Sequence, residues 1–321
     1  MTGGGPAPEL SGIVVHWRNE AQLRRLLEAW PRDSRFELVI VDNSRSLGDL
    51  PEGVQVIDPG RNLGFAGGVN RGASVARGPI LLILNPDVSP RPGALDALLA
   101  GFAELPDAAG LAPRLWQTEP AGGGEGSLQF RWQLRPLASP WTLILQTLLV
   151  PAGQGPAAEP TAGTAIPQPA AAALALKKGV LLDLGGFDEG FYPAWFEDVD
   201  FARRLEARGG ILRYWPAAEF SHELGASVPG LGYGPFLWVY YRNLHRYLRK
   251  HHGAAWSLAA TLTLCLGMGL RLLLLPFARP RRASSRGQAA RGLLAVLAGA
   301  VTRWRSPRAM VRRFAAEAGG A

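Results

Sequence analysis

The first 115 residues alternate short apolar runs with amphipathic stretches, and no other feature of the sequence constrains the fold as strongly. Continuous runs of Val, Ile and Leu are typical of parallel strands that are buried on both faces, and strands that alternate with helices indicate βαβ units. We therefore predict an α/β fold with a Rossmann-like, mostly parallel sheet. The predicted strands cover 12–17, 37–43, 54–58 and 80–87, and the predicted helices cover 20–30, 66–76 and 92–105.

Polar residues that follow the predicted strands are the first candidates for a binding site, because ligands of such sheets lie beyond the carboxyl ends of the strands. Asp42 and Asn43 close one strand, and Asn85 and Asp87 close another. Asp42 could accept the imide N–H of a uracil or thymine ring, or it could only cap the next turn. Asn85 and Asp87 could reach one hard divalent cation, although Asn-Pro is also an ordinary turn.

The segment RNLGFAGGVNRG (61–72) is rich in glycine and leads into a predicted helix. Such a segment allows the backbone to pass close to a phosphate or a sugar. Its glycine spacing does not match GxGxxG, which disfavours a dinucleotide-binding fold. The candidate ligand-binding residues of this segment are Arg61, Asn62, Gly64 and Asn70.

The stretch FYPAWFEDVDFARR (191–204) places three carboxylates directly behind a run of aromatic residues. Acidic residues at a helix start are explained by capping and by the helix dipole, but capping does not explain the aromatic residues. Aromatic faces can pack against the C–H surfaces of a sugar and exclude water from a carboxylate that takes up a proton. The stretch is therefore either a solvated helix start or a reaction centre in which one of the carboxylates takes up a proton. The predicted acceptor-binding wall consists of Tyr192, Trp195, Phe196 and Glu197.

His222 follows the strand-like segment ILRYW (211–215). A lone histidine is more often a structural residue than a ligand. Its neutral imidazole could nevertheless bind a metal ion or hold a diphosphate.

Charge is distributed unevenly along the chain. Residues 1–241 contain 19 Lys and Arg against 25 Asp and Glu, whereas residues 242–321 contain 15 against one. The basic part includes an apolar run, 254–277, whose one charged residue is Arg271. This run could span about 30 Å of hydrocarbon, lie in the membrane interface between its flanking arginines, or pack against the rest of the protein. We expect an anionic membrane surface, and not nucleic acid, to be its partner.

The single cysteine, Cys265, excludes an internal disulfide, and the first residues show no basic region followed by an apolar stretch. Both features favour a reducing compartment. We expect a cytoplasmic protein that is peripheral to, or anchored at, the inner face of the cell membrane.

Between Gly12 and Tyr247 the motifs VDNS, NLGFAGGVNRG, NPD, GGFDEGFYPAWFEDVDFARR and FSHELG occur in an order that resembles the family 2 inverting glycosyltransferases of the GT-A fold. Within that family the sequence is similar to the bacterial rhamnosyltransferase-like and galactofuranosyltransferase-like branch. The resemblance implies transfer of rhamnose, galactofuranose or a similar hexose, with inversion, from a dTDP- or UDP-linked donor. The implied acceptor is a glycan or a polyprenyl-linked saccharide of cell-envelope polysaccharide synthesis.

The resemblance also implies roles for individual residues. Asp42 would contact the base, Asp87 would hold the metal and the diphosphate, and Asp198 would be the catalytic base. His222 would complete a site for Mg²⁺ or Mn²⁺. Many relatives have D-x-D where this chain has Asn85, Pro86 and Asp87, so one carboxylate is missing here.

The expected domain organisation follows from the same patterns. We predict a disordered N-terminus (1–10), a GT-A catalytic domain (11–232) and a basic helical C-terminal extension (233–321) that associates with the membrane. Within the catalytic domain we predict a nucleotide-binding half (1–115), an acceptor half (116–232) and a flexible low-complexity loop (151–171).

Two other functions remain open at this point. A sugar nucleotidyltransferase also uses a nucleotide-binding α/β sheet, but those enzymes typically carry a Gly-rich basic loop after the first strand, where this chain has HWRNEAQ (16–22). A non-enzymatic scaffold could use the basic tail to bind a membrane or nucleic acid. That function leaves the NPD and FEDVD motifs without an explanation.

Overall fold

The computed structural model describes residues 7–48, 50–118, 126–148, 153–223, 232–277, 280 and 283–304. These residues divide into two compact units. The sheet unit lies within Met1–Leu137, Gln154–Glu189 and Glu197–Ser227, and the helical unit lies within Ala138–Gly153, Gly190–Phe196 and Val228–Ala321.

This division corrects the predicted domain boundaries in two places. The helical unit is larger than the predicted extension, because segments 138–153 and 190–196 of the predicted acceptor half pack with the C-terminal helices. The predicted disordered N-terminus also ends too late, because Leu10 is fully buried in the first strand.

The sheet unit contains one large sheet and a small two-stranded sheet. The strands are β1 (Leu10–His16), β2 (Phe36–Asp42), β3 (Val54–Ile57), β4 (Ile80–Leu84), β5 (Val88–Pro90), β6 (Ala108–Thr118), β7 (Leu134–Arg135), β8 (Gln168–Pro169), β9 (Ala173–Lys177) and β10 (Ile211–Glu223). The large sheet has the order β3-β2-β1-β4-β9-β6-β10-β5, and β7 pairs with β8. Six strands of the large sheet run in one direction, whereas β9 and β5 run antiparallel to their neighbours. The predicted mostly parallel α/β sheet is therefore confirmed.

Helices cover both faces of this sheet. The helices of the sheet unit are α1 (Glu20–Ala29), α2 (Gly64–Val75), α3 (Ala94–Glu104), α4 (Phe130–Gln133), α6 (Lys178–Asp183) and α7 (Glu197–Glu206); those of the helical unit are α5 (Pro140–Thr147), α8 (Tyr233–His251), α9 (Ala254–Leu274) and α10 (Arg286–Val301). Val14 of β1 belongs to an apolar layer with residues of α1 and α3. Its neighbours Ile13 and Val15 belong to the opposite layer, with residues of α2, α6 and α7. Because alternate residues enter two apolar layers, most interior positions of the strand are apolar. The exception is Ser11, whose hydroxyl donates to the Glu37 carboxylate at 2.6 Å.

The glycines of α2 permit close contact between that helix and β1. A Cβ atom on Gly68 would lie 2.6 Å from Cγ1 of Val15, and one on Gly72 would lie 2.5 Å from Cγ2 of Ile13. The two glycines are one helical turn apart, so they share the face that meets the strand. Helix packing therefore explains these two glycines, which the sequence analysis had assigned to a backbone that approaches a phosphate or a sugar.

The predicted flexible loop 151–171 is ordered over its described residues, 153–171. Backbone N–H groups of Gly163 and Ile166 donate to carbonyl oxygens of β10, each at 2.8 Å. The Glu159 carboxylate accepts from Arg114 at 2.7 Å and from Tyr214 at 2.5 Å. The prediction of flexibility was wrong because composition alone does not reveal these contacts with the sheet.

Replacement of Gly68 by Ala tests the contact between α2 and β1. We expect Gly68→Ala to destabilise the protein by about 1–3 kcal/mol, because the added methyl group meets the Val15 side chain. Gly179→Ala is the matched control, since Gly179 is an exposed residue of α6 with nothing within 4 Å of its Cβ position. The control should be neutral or stabilising by up to about 1 kcal/mol. Urea unfolding followed by circular dichroism measures both, and equal midpoints for the two variants would contradict the packing argument.

Candidate active site

The carboxyl ends of β2, β4 and β10 bring the strand-end residues to one edge of the sheet. Asp87, which follows β4, and His222, near the end of β10, are direct neighbours: His222 Nε2 lies 3.6 Å from Asp87 Oδ1. Both side chains are largely buried. The structure thus brings together the two predicted metal ligands, which lie far apart in the sequence.

Gln129 fixes the orientation of the His222 ring. Its Oε1 lies 2.8 Å from His222 Nδ1. A carbonyl oxygen can only accept, so Nδ1 is the donor of this bond and Nε2 is the ring nitrogen that faces Asp87. Metal-binding histidines commonly have such a partner on the second ring nitrogen. The sequence analysis missed Gln129, because no local motif marks it.

This pair fits a divalent cation. One carboxylate and one imidazole are suitable ligands for Mn²⁺, and Mg²⁺ commonly takes one or two carboxylates and completes its shell with phosphate and water. Among the described residues, no group of three or more His, Cys, Asp or Glu side chains could form a closed site. Asn85 is half-buried beside the pair, and its backbone N–H donates to the Ala172 carbonyl at 2.9 Å.

The Asp42 carboxylate organises the loop that follows β2. Its Oδ1 accepts from the backbone N–H groups of Ser44 and Arg45 and from the Ser44 hydroxyl, and its Oδ2 accepts from the backbone N–H of Leu47. These bonds match the capping role that the sequence left open for Asp42. A contact between Asp42 and a base stays a prediction.

His16 is a buried residue of the same edge that the sequence analysis missed. It is the register partner of Asp42 across β1 and β2, and its ring is fully buried. Burial lowers the pKa of the His16 imidazole, against the opposing effect of the Asp42 charge. Burial thus favours the neutral form of this ring beside Asp42.

The Gly-rich segment is fastened to this edge by Asn43. The Asn43 side chain donates to the Gly64 carbonyl and accepts from the Leu63 N–H, both at 3.0 Å. Asn62 accepts from the Gly64 N–H at 2.8 Å. Asn43 and Asn62 thus hold the backbone in place, whereas Arg61 is exposed and has no hydrogen-bond or ion-pair partner among the described residues. Arg61 is the member of this predicted donor-binding group that is open to an incoming anion.

Asn70 holds a turn of the protein itself. Its side chain accepts from the Phe187 N–H at 2.8 Å and donates to the Phe187 carbonyl at 2.9 Å. Gly186 lies directly against the Asn70 amide at φ +75°, a conformation that few other residues adopt. On the same turn, Arg204 donates to the Gly186 carbonyl at 2.8 Å and to Asp200 at 2.8 Å. Asn70 and Asp200 therefore have structural partners that account for them without a ligand.

Asp198 lies in the first turn of α7 beside the small sheet. Its Oδ2 is 3.4 Å from the Ala171 backbone nitrogen, 3.5 Å from Gln168 Nε2 and 3.9 Å from a guanidinium nitrogen of Arg135. Its side chain is 14% exposed. These long contacts leave the carboxylate able to accept a further proton donor. Arg135 and Gln168 are register partners in β7 and β8, and the sequence analysis missed both.

The environment of Glu197, the residue before Asp198, differs from that of Asp198. Its side chain is buried, and its Oε2 has no hydrogen-bond partner among the described residues. Burial, followed by the charges of Asp198 and Asp200, raises the pKa of Glu197 well above its usual range. Two adjacent carboxyl groups thus differ in environment, and Asp198 is the one that is open to a reactant.

The three aromatic residues of the predicted wall belong to the helical unit, and α8 holds their backbone. The side-chain nitrogen of Asn243 lies 3.0, 2.8 and 3.1 Å from the carbonyl oxygens of Phe191, Ala194 and Trp195. Trp195 and Phe196 both adopt positive φ, +73° and +74°. Non-glycine residues in this region cost about 1 kcal/mol or more each and are frequent at functional sites. Asn243, which the sequence analysis also missed, stabilises this backbone.

Comparison with known proteins agrees with the fold and the motifs. Residues 12–134 match the sequence profile described as glycosyl transferase family 2. The chain is 25% identical over 257 residues to the N-acetylglucosaminyl-diphospho-decaprenol L-rhamnosyltransferase of Mycobacterium tuberculosis, covering 73% of this chain and 79% of that protein. It is 26% identical over 227 residues to the pre-mycofactocin glycosyltransferase of the same organism, covering 68% of this chain and 44% of that protein.

Two solved structures share the fold. The crystal structure of GalNAc-T7 with UDP, GalNAc and Mn²⁺ has a TM-score of 0.55 at 14% identity, over 95% of this chain and 59% of that chain. The mannosyltransferase PcManGT from Pyrobaculum calidifontis, in complex with GDP-Man and Mn²⁺, has a TM-score of 0.50 at 17% identity, over 97% and 85%. The chain has the GT-A fold, and its residues 12–134 match glycosyl transferase family 2.

The raised pKa of Glu197 predicts a specific pH dependence of stability. In the unfolded chain the carboxyl group ionises near pH 4.5, whereas in the folded protein it keeps its proton to higher pH. The folded state therefore binds more protons above pH 4.5, and the contribution of Glu197 to stability falls as pH rises through the folded pKa. Glu197→Gln removes this titration, so the variant should gain Tm relative to the wild type as pH rises from 4.5 to 8.

Glu104→Gln is the control, because Glu104 is an exposed residue of α3. It should shift Tm equally at every pH. A Tm difference between Glu197→Gln and the wild type that does not change with pH would show that Glu197 is ionised in the folded protein.

Proposed function

We propose that this protein transfers a sugar from a nucleoside-diphosphate donor to a hydroxyl group of a glycan or lipid-linked acceptor, with inversion at the anomeric carbon. The observation that carries the proposal is the placement of Asp198 beside the NPD motif (85–87). The Ala171 N–H faces the Asp198 carboxylate, and the next residue, Ala172, accepts from the Asn85 N–H. One pair of adjacent residues therefore contacts both the proposed base and the NPD motif.

The donor that we propose is a dTDP- or UDP-linked hexose such as rhamnose or galactofuranose. The nucleotide would bind at the carboxyl ends of β1, β2 and β4, where ligands of such sheets lie. Asp42 would meet the base, and the exposed Arg61 would meet the diphosphate. The crystallised neighbours, one with UDP and one with GDP-Man, support a nucleoside diphosphate as the leaving group. The rhamnosyltransferase relative supports a deoxyhexose.

The acceptor that we propose is a polyprenyl-diphosphate-linked saccharide at the cytoplasmic face of the cell membrane. The rhamnosyltransferase relative is named for an N-acetylglucosaminyl-diphospho-decaprenol acceptor. The 15 basic residues of 242–321, against one acidic residue, suit an anionic membrane surface. The aromatic residues Tyr192, Trp195 and Phe196 would pack against the acceptor sugar. Such a reaction belongs to cell-envelope polysaccharide synthesis.

The chemistry needs one base. Asp198 would take the proton of the acceptor hydroxyl as that oxygen attacks the anomeric carbon from the side opposite the departing diphosphate, which inverts the configuration. Burial raises the pKa of Glu197, and Asp200 is paired with Arg204, so we expect neither to compete with Asp198 for this proton. Arg135, 3.9 Å from the Asp198 carboxylate, would help to hold that side chain in position.

Asp87 and His222 would hold a divalent cation, Mg²⁺ or Mn²⁺. Both structural neighbours named above were solved with Mn²⁺. When bound, such a cation offsets the negative charge that gathers on a departing diphosphate. Gln129 would keep His222 Nε2 unprotonated and available.

Replacement of Asp198 by Asn tests the proposed base. The change preserves the size of the side chain and removes its ability to take a proton, so turnover should fall by about 10²-fold or more while the donor still binds. Turnover is measured as release of UDP or dTDP on a polyprenyl-diphosphate GlcNAc acceptor, and donor binding is measured by calorimetry. Glu197→Gln is the matched neighbour and should retain far more activity. The base would be misassigned if Asp198→Asn kept wild-type turnover and Glu197→Gln lost it.

Replacement of the two metal ligands tests the cation site independently of turnover. Mn²⁺ is titrated into the full chain with UDP present, and bound Mn²⁺ is followed by electron paramagnetic resonance. Asp87→Asn and His222→Ala should each abolish tight binding, and Gln129→Leu should weaken it by about 10- to 100-fold, because outer partners of ligands typically contribute that much. Glu28→Gln, at an exposed position of α1, should bind Mn²⁺ normally. Unchanged Mn²⁺ affinity in Asp87→Asn would overturn the assignment.

A further inference from the structure

Helix α9 carries a continuous row of exposed apolar side chains. Their exposed fractions range from 40% to 85%. At 3.6 residues per turn, positions four residues apart recur on one side of a helix, so these residues share a face. The row, called here the leucine face, consists of Leu258, Leu262, Leu266, Leu270, Leu273 and Leu274 of α9, and of Phe277, which follows the end of the helix.

The opposite side of α9 is packed against other helices of the same unit. Ala260, Leu264 and Met268 on that side are fully buried. Thr263 accepts a hydrogen bond from Thr147 of α5 at 2.8 Å, and Gly267 lies directly against the Thr147 carbonyl. One side of helix α9 therefore packs against other helices of the helical unit, and the other side is exposed.

Arg271 belongs to the packed side. Its guanidinium donates to the Thr147 carbonyl at 3.1 Å and lies 3.5 Å from the Tyr241 hydroxyl of α8. It is the one charged residue within 254–277. The leucine face therefore carries no charge, and Arg271 contacts the protein.

The neighbours of α9 argue against a membrane span. Helix α5 has eight residues and is about 12 Å long, too short to cross a bilayer with α9. The end of α5 contacts the middle of α9, because Thr147 meets Thr263 and Gly267. If α9 crossed the bilayer, this helix end and the Arg271 guanidinium beside it would enter hydrocarbon, where unsatisfied backbone groups and charges are costly. By length and hydropathy alone α9 could cross.

The positive charge of segment 242–321 indicates which kind of surface covers the leucine face. The segment 242–321 contains 15 Lys and Arg and one acidic residue. A second copy of this chain would bring the same positive charge and would be repelled, whereas an anionic lipid surface is complementary. Trp141 of α5 is 66% exposed and packs edge-on against Trp256 of α9, with ring centroids 4.8 Å apart. Exposed tryptophans beside an apolar face are typical of the membrane interface.

We propose that α9 lies in the plane of an anionic bilayer with its leucine face in the interface, and that it does not cross the membrane. The helical unit is then a monotopic platform, with α5, α8 and α10 on its cytoplasmic side. This proposal extends the membrane location given under the proposed function. It rests on the packing of the helical unit and not on the transferase reaction, so membrane binding can be tested without donor or acceptor.

The depth of the leucine face distinguishes a helix in the plane from a span. Cys265, the one cysteine, is replaced by Ser in the full chain. Single cysteines at 258, 262, 266, 270 and 273 then carry a nitroxide label, whose depth is measured by power saturation in phosphatidylglycerol-containing vesicles. We expect all five labels to lie at one shallow depth, about 5–10 Å below the headgroups. A profile that is deepest at 266 and shallow at both ends would show a span, and labels that all remain in water would show that the face binds no membrane. Either result overturns the proposal.

Vesicle flotation tests whether this face provides the binding. The double variant Leu262→Glu, Leu266→Glu should lose at least tenfold in affinity for anionic vesicles. In the membrane-bound state two apolar contacts with lipid are replaced by negative charges, which the anionic surface repels. Leu182→Glu is the control, since Leu182 is a 53% exposed leucine of α6 in the sheet unit. It should float like the wild type. Circular dichroism and calorimetric donor binding establish that each variant is folded.

Three outcomes would contradict the proposal. The double variant could float as well as the wild type, which would exclude the leucine face as the membrane contact. Wild-type protein could stay in the membrane pellet after alkaline carbonate extraction, which would indicate a span. Finally, the wild type could dimerise in sedimentation without vesicles while the double variant stays monomeric, which would identify a second copy as the partner.

Discussion

The burial of the central sheet on both faces is the constraint on which the rest of the structure depends. Successive residues of β1 enter opposite apolar layers. The buried polar side chains of β1 and β2 lie near the strand ends: Ser11 and Glu37 bond to each other near the starts, and His16 and Asp42 lie at the carboxyl ends. Because six strands run in one direction, their carboxyl ends meet at one edge, and Asp42, Asp87 and His222 all lie there. The position of the candidate site is a consequence of how the core is built.

Neutral amide side chains hold the candidate residues in place within each unit. Asn43 fastens the Gly-rich segment, Asn70 fastens the turn at Gly186, Gln129 orients His222 and Asn243 holds the backbone of the aromatic residues. An amide both donates and accepts, so it can satisfy buried backbone groups without bringing a second charge next to a carboxylate. The charged groups Asp87 and Asp198 then remain the polar groups of the site that are suited to a cation and a proton.

The helical unit combines two features that the sequence analysis had assigned to different domains. It contains segment 190–196 with the aromatic residues of the predicted acceptor wall, and it contains the leucine face of α9. The buried side chain of Asn243 joins that segment to α8, and α8 packs against α9. A unit built in this way would place the acceptor-binding residues and the membrane contact on one rigid group of helices, as suits an acceptor that is carried by a lipid.

The sequence by itself determined the α/β sheet, the strand-end residues and the acidic helix start, because hydrophobic periodicity and capping act over a few residues. It also identified Asp87 and His222 through the family resemblance, although their contact joins two distant strands. Only the tertiary structure could reveal Gln129, Arg135 and Asn243, because each acts through a partner far away in the sequence. The same applies to Glu197 and Asp198, which are adjacent in the chain yet differ in burial. Only the tertiary structure shows which side of α9 is exposed, because the sequence gives the number of leucines but not the residues that pack against them.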